Sequence, residues 1–158
     1  MGSRPFTAFL ALATCTLLHA GPAVAQNSAL QKRLAGIRSL DCSFAVVATA
    51  NWKDGVPIAT VAPAKITVKF ANVNVDEGTA DAVGTFGGSL VVVRHTNDYL
   101  HLMHMHRSGP LHTTTVLARE TKGGRLLAVH TRHEYTDVQL PGFTSRPEMY
   151  VGECAVES

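Results

Sequence analysis

The sequence predicts an all-β domain, an antiparallel up-and-down meander of about eight strands that closes into a barrel. From Cys42 onward, apolar and polar residues alternate with a period of two, as in half-buried strands. Short segments rich in Gly, Asn, Asp and Pro interrupt this alternation at fairly regular intervals and indicate turns. A second cysteine, Cys154, nearly ends the region. Because the first and last strands of such a barrel are neighbours, a bond between the two cysteines favours closure over a curved open sheet.

The first 25 residues have the features of a bacterial export signal. Arg4 supplies a positively charged start, Phe6–Leu18 is a short apolar run, and Ala23–Ala25 is a small-x-small cleavage site. We expect cleavage after Ala25, so that Gln26 begins the mature chain of a periplasmic or secreted protein. An uncut membrane anchor is the alternative, but the apolar run is shorter than the about 20 residues that a span requires.

The cysteine count supports this expectation. Cleavage removes Cys15 and leaves Cys42 and Cys154 as an even pair. An oxidising compartment favours a disulfide between them, and two free thiols are the alternative. The bond would close a loop of more than a hundred residues, which is worth roughly 4–5 kcal/mol in the chain-entropy model.

Size and charge limit the classes of function. The chain of 158 residues corresponds to one domain after cleavage, with a helical segment at 26–41 and the barrel at 42–158. The formal net charge is +2 and no basic run is present, so nucleic acid is not an expected partner. No further apolar segment approaches the length of a membrane span. A small molecule or a metal ion is the expected partner.

The segment that precedes the barrel is predicted to be a short helix. Leu30, Leu34 and Ile37 recur at helical spacing, and Ser28 with Gln31 forms a capping box at the start. We expect this helix to act as a lid or plug on the rest of the domain.

A turn signal follows the first predicted strand. Residues 42–52 alternate between faces, Lys53–Gly55 is a turn signal, and residues 64–73 form the most regular strand. The remaining strands are predicted at 79–84, 89–96, 99–106, 111–121, 125–136 and 148–156. Turn residues separate all of them, and a longer loop precedes the last.

The segment Tyr99–His112 carries four histidines and two methionines. If residues 107–110 form a four-residue loop, Met105 lies opposite His112 in the neighbouring strand. If Gly123 and Gly124 form the next turn, His112 lies opposite Tyr135. One face of the sheet then carries most of the imidazole and thioether groups, and we expect this face to point inward because the other carries charges of both signs. A shift of one residue would exchange the two faces.

The leading hypothesis is a non-catalytic ligand-binding module with a His/Met/Tyr-lined interior. The expected lining residues are His101, Met103, Met105, His112, His133 and Tyr135. A metal site at His112, His133 and Met105 is the alternative, and these donor types suit copper better than calcium or magnesium. The usual spacings of zinc ligands and of haem attachment are absent from the sequence.

Two further alternatives remain open. The first is a small enzyme in which His130, Arg132 and Glu134, on the opposite face, act on an anionic substrate. Those residues are equally consistent with a solvated strand face that carries ion pairs, and no catalytic motif is present. The second is an envelope protein that binds a protein partner through a loop such as 140–149.

Several short motifs resemble those of a group of small exported bacterial proteins to which no activity is assigned. The matching features are an early cysteine, here Cys42, and the segments Gly78–Gly84, Thr113–Val116, Val129–His133 and Tyr150–Cys154. The resemblance covers most of the mature chain. It implies an exported domain, and it assigns no functional residue.

The expected architecture is lipocalin-like or calycin-like, since both are closed antiparallel barrels. The G-x-W signature that lipocalins carry near the first strand is absent, because Trp52 follows Ala50 and Asn51. Membership of that family is therefore not predicted.

Overall fold

The computed structural model describes residues 22–84, 87–106, 109–135 and 146–157. Within these ranges, eight antiparallel strands form one closed barrel in which each strand pairs with the next and the last pairs with the first. The predicted fold class is therefore confirmed. The elements are α1 (Pro22–Ala35), β1 (Leu40–Lys53), β2 (Val56–Asn74), β3 (Thr79–Gly84), β4 (Gly87–Thr96), β5 (Tyr99–Met105), β6 (Leu111–Glu120), β7 (Leu126–His133) and β8 (Glu148–Val156).

The closing seam between β1 and β8 carries the disulfide. Cys42 lies directly opposite Cys154 in the register of the two strands, and their sulfur atoms are bonded. The predicted pairing is therefore confirmed. Because 112 positions separate the two cysteines, the bond ties together the two ends of the barrel sequence.

Strands β1 and β2 form a hairpin, and each of them is longer than any other strand of the barrel. Asp54 and Gly55 both have positive φ, 53° and 76°, which identifies a type I′ turn. Within the described residues, β2 pairs with β3 only from Lys69 to Asn74, so the earlier part of its outer edge has no strand beside it. Pro57 and Pro63 lie on that part of β2. Backbone nitrogens along the strand point alternately towards β1 and away from it, and counting from the turn shows that both prolines occupy positions that point away.

A bulge in β1 depends on a glycine in β8. The register shifts between Phe44 and Val46, and Gly152 lies opposite Phe44 at this point. A Cβ atom at Gly152 would come within 2.0 Å of the Ser43 carbonyl oxygen and 2.6 Å of the Phe44 Cα. Only glycine permits this close approach of two backbones.

Helix α1 packs against β5 and β6 at the end of the barrel where their turns lie, since Gln31 contacts Asp98 and Arg33 contacts Gly124. It also contributes to the core. Leu34 of the helix and Ile37, which comes just after it, are fully buried in the same apolar cluster as the barrel residues. Arg33 forms an ion pair with Glu120 of β6. In the full chain the helix begins at Pro22, six positions before Ser28, so the predicted cap is wrong there. The expected cleavage after Ala25 would remove the first four residues of this helix. Within the described residues, no helix has both the length and the apolarity needed to cross a bilayer.

The interior of the barrel has an apolar half and a polar half. The apolar half contains aliphatic and aromatic side chains from most strands, including Leu40, Phe70, Val91, Val93, Leu100, Val116 and Leu126. Further along the same strands, the inward positions become polar. His104, His112 and His130 lie at this polar end, whereas His95 lies on the inward side of β4 at the other end, opposite Leu100.

The predicted inward face is wrong for most of its members. The connection from β5 to β6 has five residues, because the backbone N–H of His106 donates to the Pro110 carbonyl and so belongs to the turn. His104, rather than Met105, therefore lies opposite His112. This shift of one residue turns Met105 outward, and its side chain is 72% exposed.

The expected register of β6 and β7 is also wrong. Thr114 lies opposite His130 instead of His133. The turn is one residue longer than predicted, with Glu120 opposite Leu126, and the pairing shifts by two further residues between Val116 and Glu120. The register of β4 and β5 agrees with the prediction, with Thr96 opposite Tyr99 across the two-residue turn.

Candidate functional site

The polar half of the barrel encloses a cavity of about 80 Å³. One part of its wall is apolar and the other part carries most of the titratable side chains of the interior. The apolar residues are Val68, Phe70, Ala82 and Leu102, and the polar residues are His104, His112, Thr114, His130 and Arg132. We call this cavity the inner pocket.

Three neighbouring strands supply the polar wall, and each changes character as it passes the middle of the barrel. On β7 the inward positions run from buried Leu126 and Ala128 to His130 and then Arg132. The neighbouring strands β5 and β6 change in the same way at the same level. The pairing of the three strands therefore gathers their polar ends around one space.

His130 is the most deeply buried titratable residue of the inner pocket, with 3% of its surface exposed. Its Nδ1 is 2.9 Å from the hydroxyl oxygen of Thr114, and its ring packs between Phe44 and Tyr150. Burial, together with the charge of nearby Arg132, lowers the pKa of His130 to about 3. The imidazole is therefore neutral at ordinary pH. Its Nε2 is buried and has no hydrogen-bond partner within the described residues.

His112 links two other groups at the pocket wall. Its Nε2–H donates to the carboxylate of Glu134, so in the neutral ring Nδ1 accepts a hydrogen bond from His106 Nε2–H at 3.2 Å. Burial lowers the pKa of His112, although the bond to Glu134 opposes this effect. Burial also lowers the pKa of His104, whose ring centroid lies 4.0 Å from that of His106.

Arg132 brings a permanent positive charge to the inner pocket. Its guanidinium carbon lies 5.4 Å from the ring centroid of Tyr150, and its buried Nε has no hydrogen-bond partner among the described residues. The ion pairs found in the described part of the chain do not include it. Glu148, the residue opposite on β8, instead accepts a hydrogen bond from the hydroxyl group of Tyr150 at 2.5 Å. Burial and this bond raise the pKa of Tyr150 to about 12.

The structure brings only one of the six predicted lining residues into the pocket, namely His112. The other five, His101, Met103, Met105, His133 and Tyr135, belong to the outer face of their strands or of the segment that follows. The predicted metal trio is separated for the same reason. Met105 and His133 flank Leu111 on the outer surface, whereas His112 points inward. Within the described residues, no group of three or more His, Cys, Asp or Glu side chains is arranged to hold a metal.

The sequence-based site omitted His104, Thr114, His130 and Arg132. On β5 a signal was available, because the purely aliphatic Leu100 and Leu102 precede His104 on the same face. On β7 no such signal exists, since both faces begin with aliphatic residues.

Fold and site together define a small disulfide-closed β-barrel with a buried polar pocket at one end. No family model, curated protein or solved structure matches the chain at a significant level.

Proposed function

We propose that the protein is an exported, non-catalytic binding module that holds a small polar molecule in the inner pocket. The observation that carries this proposal is the unpartnered Nε2 of His130, a buried polar atom at the wall of a cavity. Buried polar groups in folded proteins are nearly always hydrogen-bonded, and an unmet one costs about 1–3 kcal/mol. A ligand that bonds to this nitrogen would remove that cost.

The size of the inner pocket limits the ligand. The cavity volume of about 80 Å³ is large enough to hold at least one water molecule. The pocket is far smaller than the about 300–1,000 Å³ typical of drug-sized ligands. The proposed ligand therefore has only a few non-hydrogen atoms.

Binding explains the pocket better than acid–base catalysis. The enzyme hypothesis placed His130, Arg132 and Glu134 together on the face that was expected to point outward. His130 and Arg132 instead line the inner pocket, and Glu134 bonds to His112 of its wall. However, a general base works best when its pKa is near the operating pH, and the pKa of His130 is about 3. Glu134 is already bonded to His112. These features favour a role in holding a molecule in place.

Export is part of the proposal. The predicted signal at residues 1–25 falls almost wholly outside the described residues, so its support is the leader sequence itself and the Cys42–Cys154 disulfide. Disulfides persist mainly in oxidising compartments such as the periplasm. The resemblance to exported bacterial proteins agrees with this location. The protein-docking alternative rests on loop 140–149, most of which lies outside the described residues, and we do not adopt it.

Native mass spectrometry of protein purified from the bacterial periplasm tests the proposal. We expect the wild type to carry a small organic adduct and the variant His130→Asn, which lacks Nε2 but retains a partner for Thr114, to lose it. The matched control is His133→Asn on the exposed face of the same strand, which should keep the adduct. A folded wild type without any adduct, or equal retention by both variants, would argue against the inner pocket as the binding site.

A further inference from the structure

The charges around the inner pocket are unevenly matched. The groups that face its polar end are His104 and His106 at the end of β5, His112 on β6, His130, Arg132 and Glu134 at the end of β7, and Glu148 and Tyr150 on β8. Both carboxylates accept a hydrogen bond from a neutral group of this set. The Arg132 guanidinium makes no ion pair with any described carboxylate. An anionic ligand would supply the ion-pair partner that this half-buried guanidinium lacks. That attraction has to exceed the repulsion from Glu134 and Glu148, which lie near the same tyrosine.

Two unused hydrogen-bond donors lie side by side at this wall. His130 and Arg132 are two residues apart on β7, so their Cα atoms are about 7 Å apart on the same face. Both side chains pack against Tyr150, with distances to its ring centroid of 6.0 Å and 5.4 Å. In the tautomer in which the Thr114 hydroxyl donates a hydrogen bond to Nδ1 of His130, the ring carries its proton on Nε2. Arg132 Nε–H and His130 Nε2–H are then two buried donors without partners in the described structure.

The opposite wall indicates what the rest of the ligand is. Val68, Phe70, Ala82 and Leu102 present only hydrocarbon to the cavity. A ligand with oxygen atoms on every side, such as inorganic phosphate, would leave some of them unbonded against this wall. A carboxylate has its oxygens at one end and carbon at the other, which matches the two sides of the pocket.

From these contacts, and resting on the proposed function, we infer that the ligand is a short-chain monocarboxylate of about the size of acetate or propionate. One carboxylate oxygen accepts from Arg132 Nε–H and the other from His130 Nε2–H. The alkyl group lies against the apolar wall. The binding step is non-covalent and requires no co-reactant.

An NMR titration of the mature, disulfide-bonded protein at pH 7 and constant chloride concentration tests this inference. The probes are acetate, propionate, acetamide, propionamide and inorganic phosphate. We expect saturable shifts of the His130 and Arg132 side-chain resonances with the two carboxylates. The amides have the same shape, but their NH₂ group would face a donor, so their dissociation constants should be at least tenfold higher. Phosphate should bind at least tenfold more weakly than acetate.

Variants separate the role of Arg132 from general effects of charge. Arg132→Gln should weaken acetate binding at least tenfold, and Arg132→Lys, which keeps the charge, should weaken it less. The control Arg119→Gln removes an exposed arginine from β6 and should leave the acetate affinity unchanged. Thermal unfolding and the amide spectrum show whether each variant folds. If Arg132→Gln does not fold, the comparison of carboxylate with amide in the wild type still decides.

The outcomes distinguish the inference from the proposed function. Equal or tighter binding of the amides, or tighter binding of phosphate, would overturn the carboxylate assignment while leaving a binding module in place. Binding of acetate that ignores both Arg132 variants would overturn the assignment as well. The absence of binding by every probe, together with a periplasmic protein free of adducts, would overturn both proposals.

Discussion

Acidification should destabilise this protein through His130. The pKa of this residue is about 3 in the folded chain and about 6.5 in the unfolded chain, so between these pH values only the unfolded state binds the proton. The stabilisation is present in full above pH 6.5 and is lost as the pH falls towards 3. Each pH unit in this window corresponds to about 1.4 kcal/mol. From pH 6.5 to pH 4, His130 alone should lower the free energy of unfolding by about 3 kcal/mol.

The variant His130→Asn isolates this contribution. Asparagine does not titrate, and its amide can still bond to Thr114 in place of Nδ1. His104 and His112, whose pKa values are also lowered by burial, act in the same direction and remain in both proteins. We therefore compare the free energy of unfolding of the wild type with that of the variant. As the pH falls from 6.5 to 4, the wild-type value should drop by about 3 kcal/mol more than the variant value. The control His133→Asn, on the outer face, should keep the pH dependence of the wild type.

Urea unfolding followed by circular dichroism at four pH values between 4 and 7 measures this difference. A parallel NMR titration of the imidazole resonances gives the pKa of His130 directly. A wild type and a His130→Asn variant with the same pH dependence would refute the reasoning. So would a His130 ring that titrates near 6.5, because it would place the side chain in water instead of in the core.

Three further predictions concern the framework. Replacing both Cys42 and Cys154 with alanine should lower the free energy of unfolding in urea by about 5 kcal/mol on the chain-entropy model, and a loss below 1 kcal/mol would contradict it. Gly152→Ala should cost about 3 kcal/mol or more because its Cβ would collide with the backbone of β1, whereas Gly123→Ala, whose Cβ would make only an ordinary contact, should unfold at nearly the wild-type temperature. Thr114→Val should cost about 1–3 kcal/mol by leaving a buried imidazole nitrogen unpaired, and unchanged urea unfolding would contradict this.

The strands and turns were predictable because the signals that define them are local. Alternation and turn residues predicted Thr79–Gly84 and Glu148–Val156 with the bounds that the structure shows. The type I′ turn at Asp54–Gly55 follows from the same kind of signal. Closure was predictable from one long-range fact, the pair of cysteines at the two ends of the strand region.

The candidate site was not predictable because it depends on registers that alternation does not encode. The five-residue connection before Leu111 and the shift after Val116 each change which residues lie opposite one another. Histidines occupy both faces of β5 and of the segment 130–133 in β7, so composition could not identify the inner face. The expectation that charged residues face water also failed. Arg132 and Glu134 line the polar end of the barrel, where hydrogen bonds and aromatic contact replace part of their hydration.

The two prolines of the long hairpin affect how copies of this chain meet. An unpaired edge with alternating apolar residues is a template on which a second molecule can add a strand, and repetition of that step leads towards fibrils. At Pro57 and Pro63 the template lacks two backbone donors, and the pyrrolidine rings occupy the space that an incoming strand would need. Both prolines therefore weaken this edge as a template for a second copy of the chain.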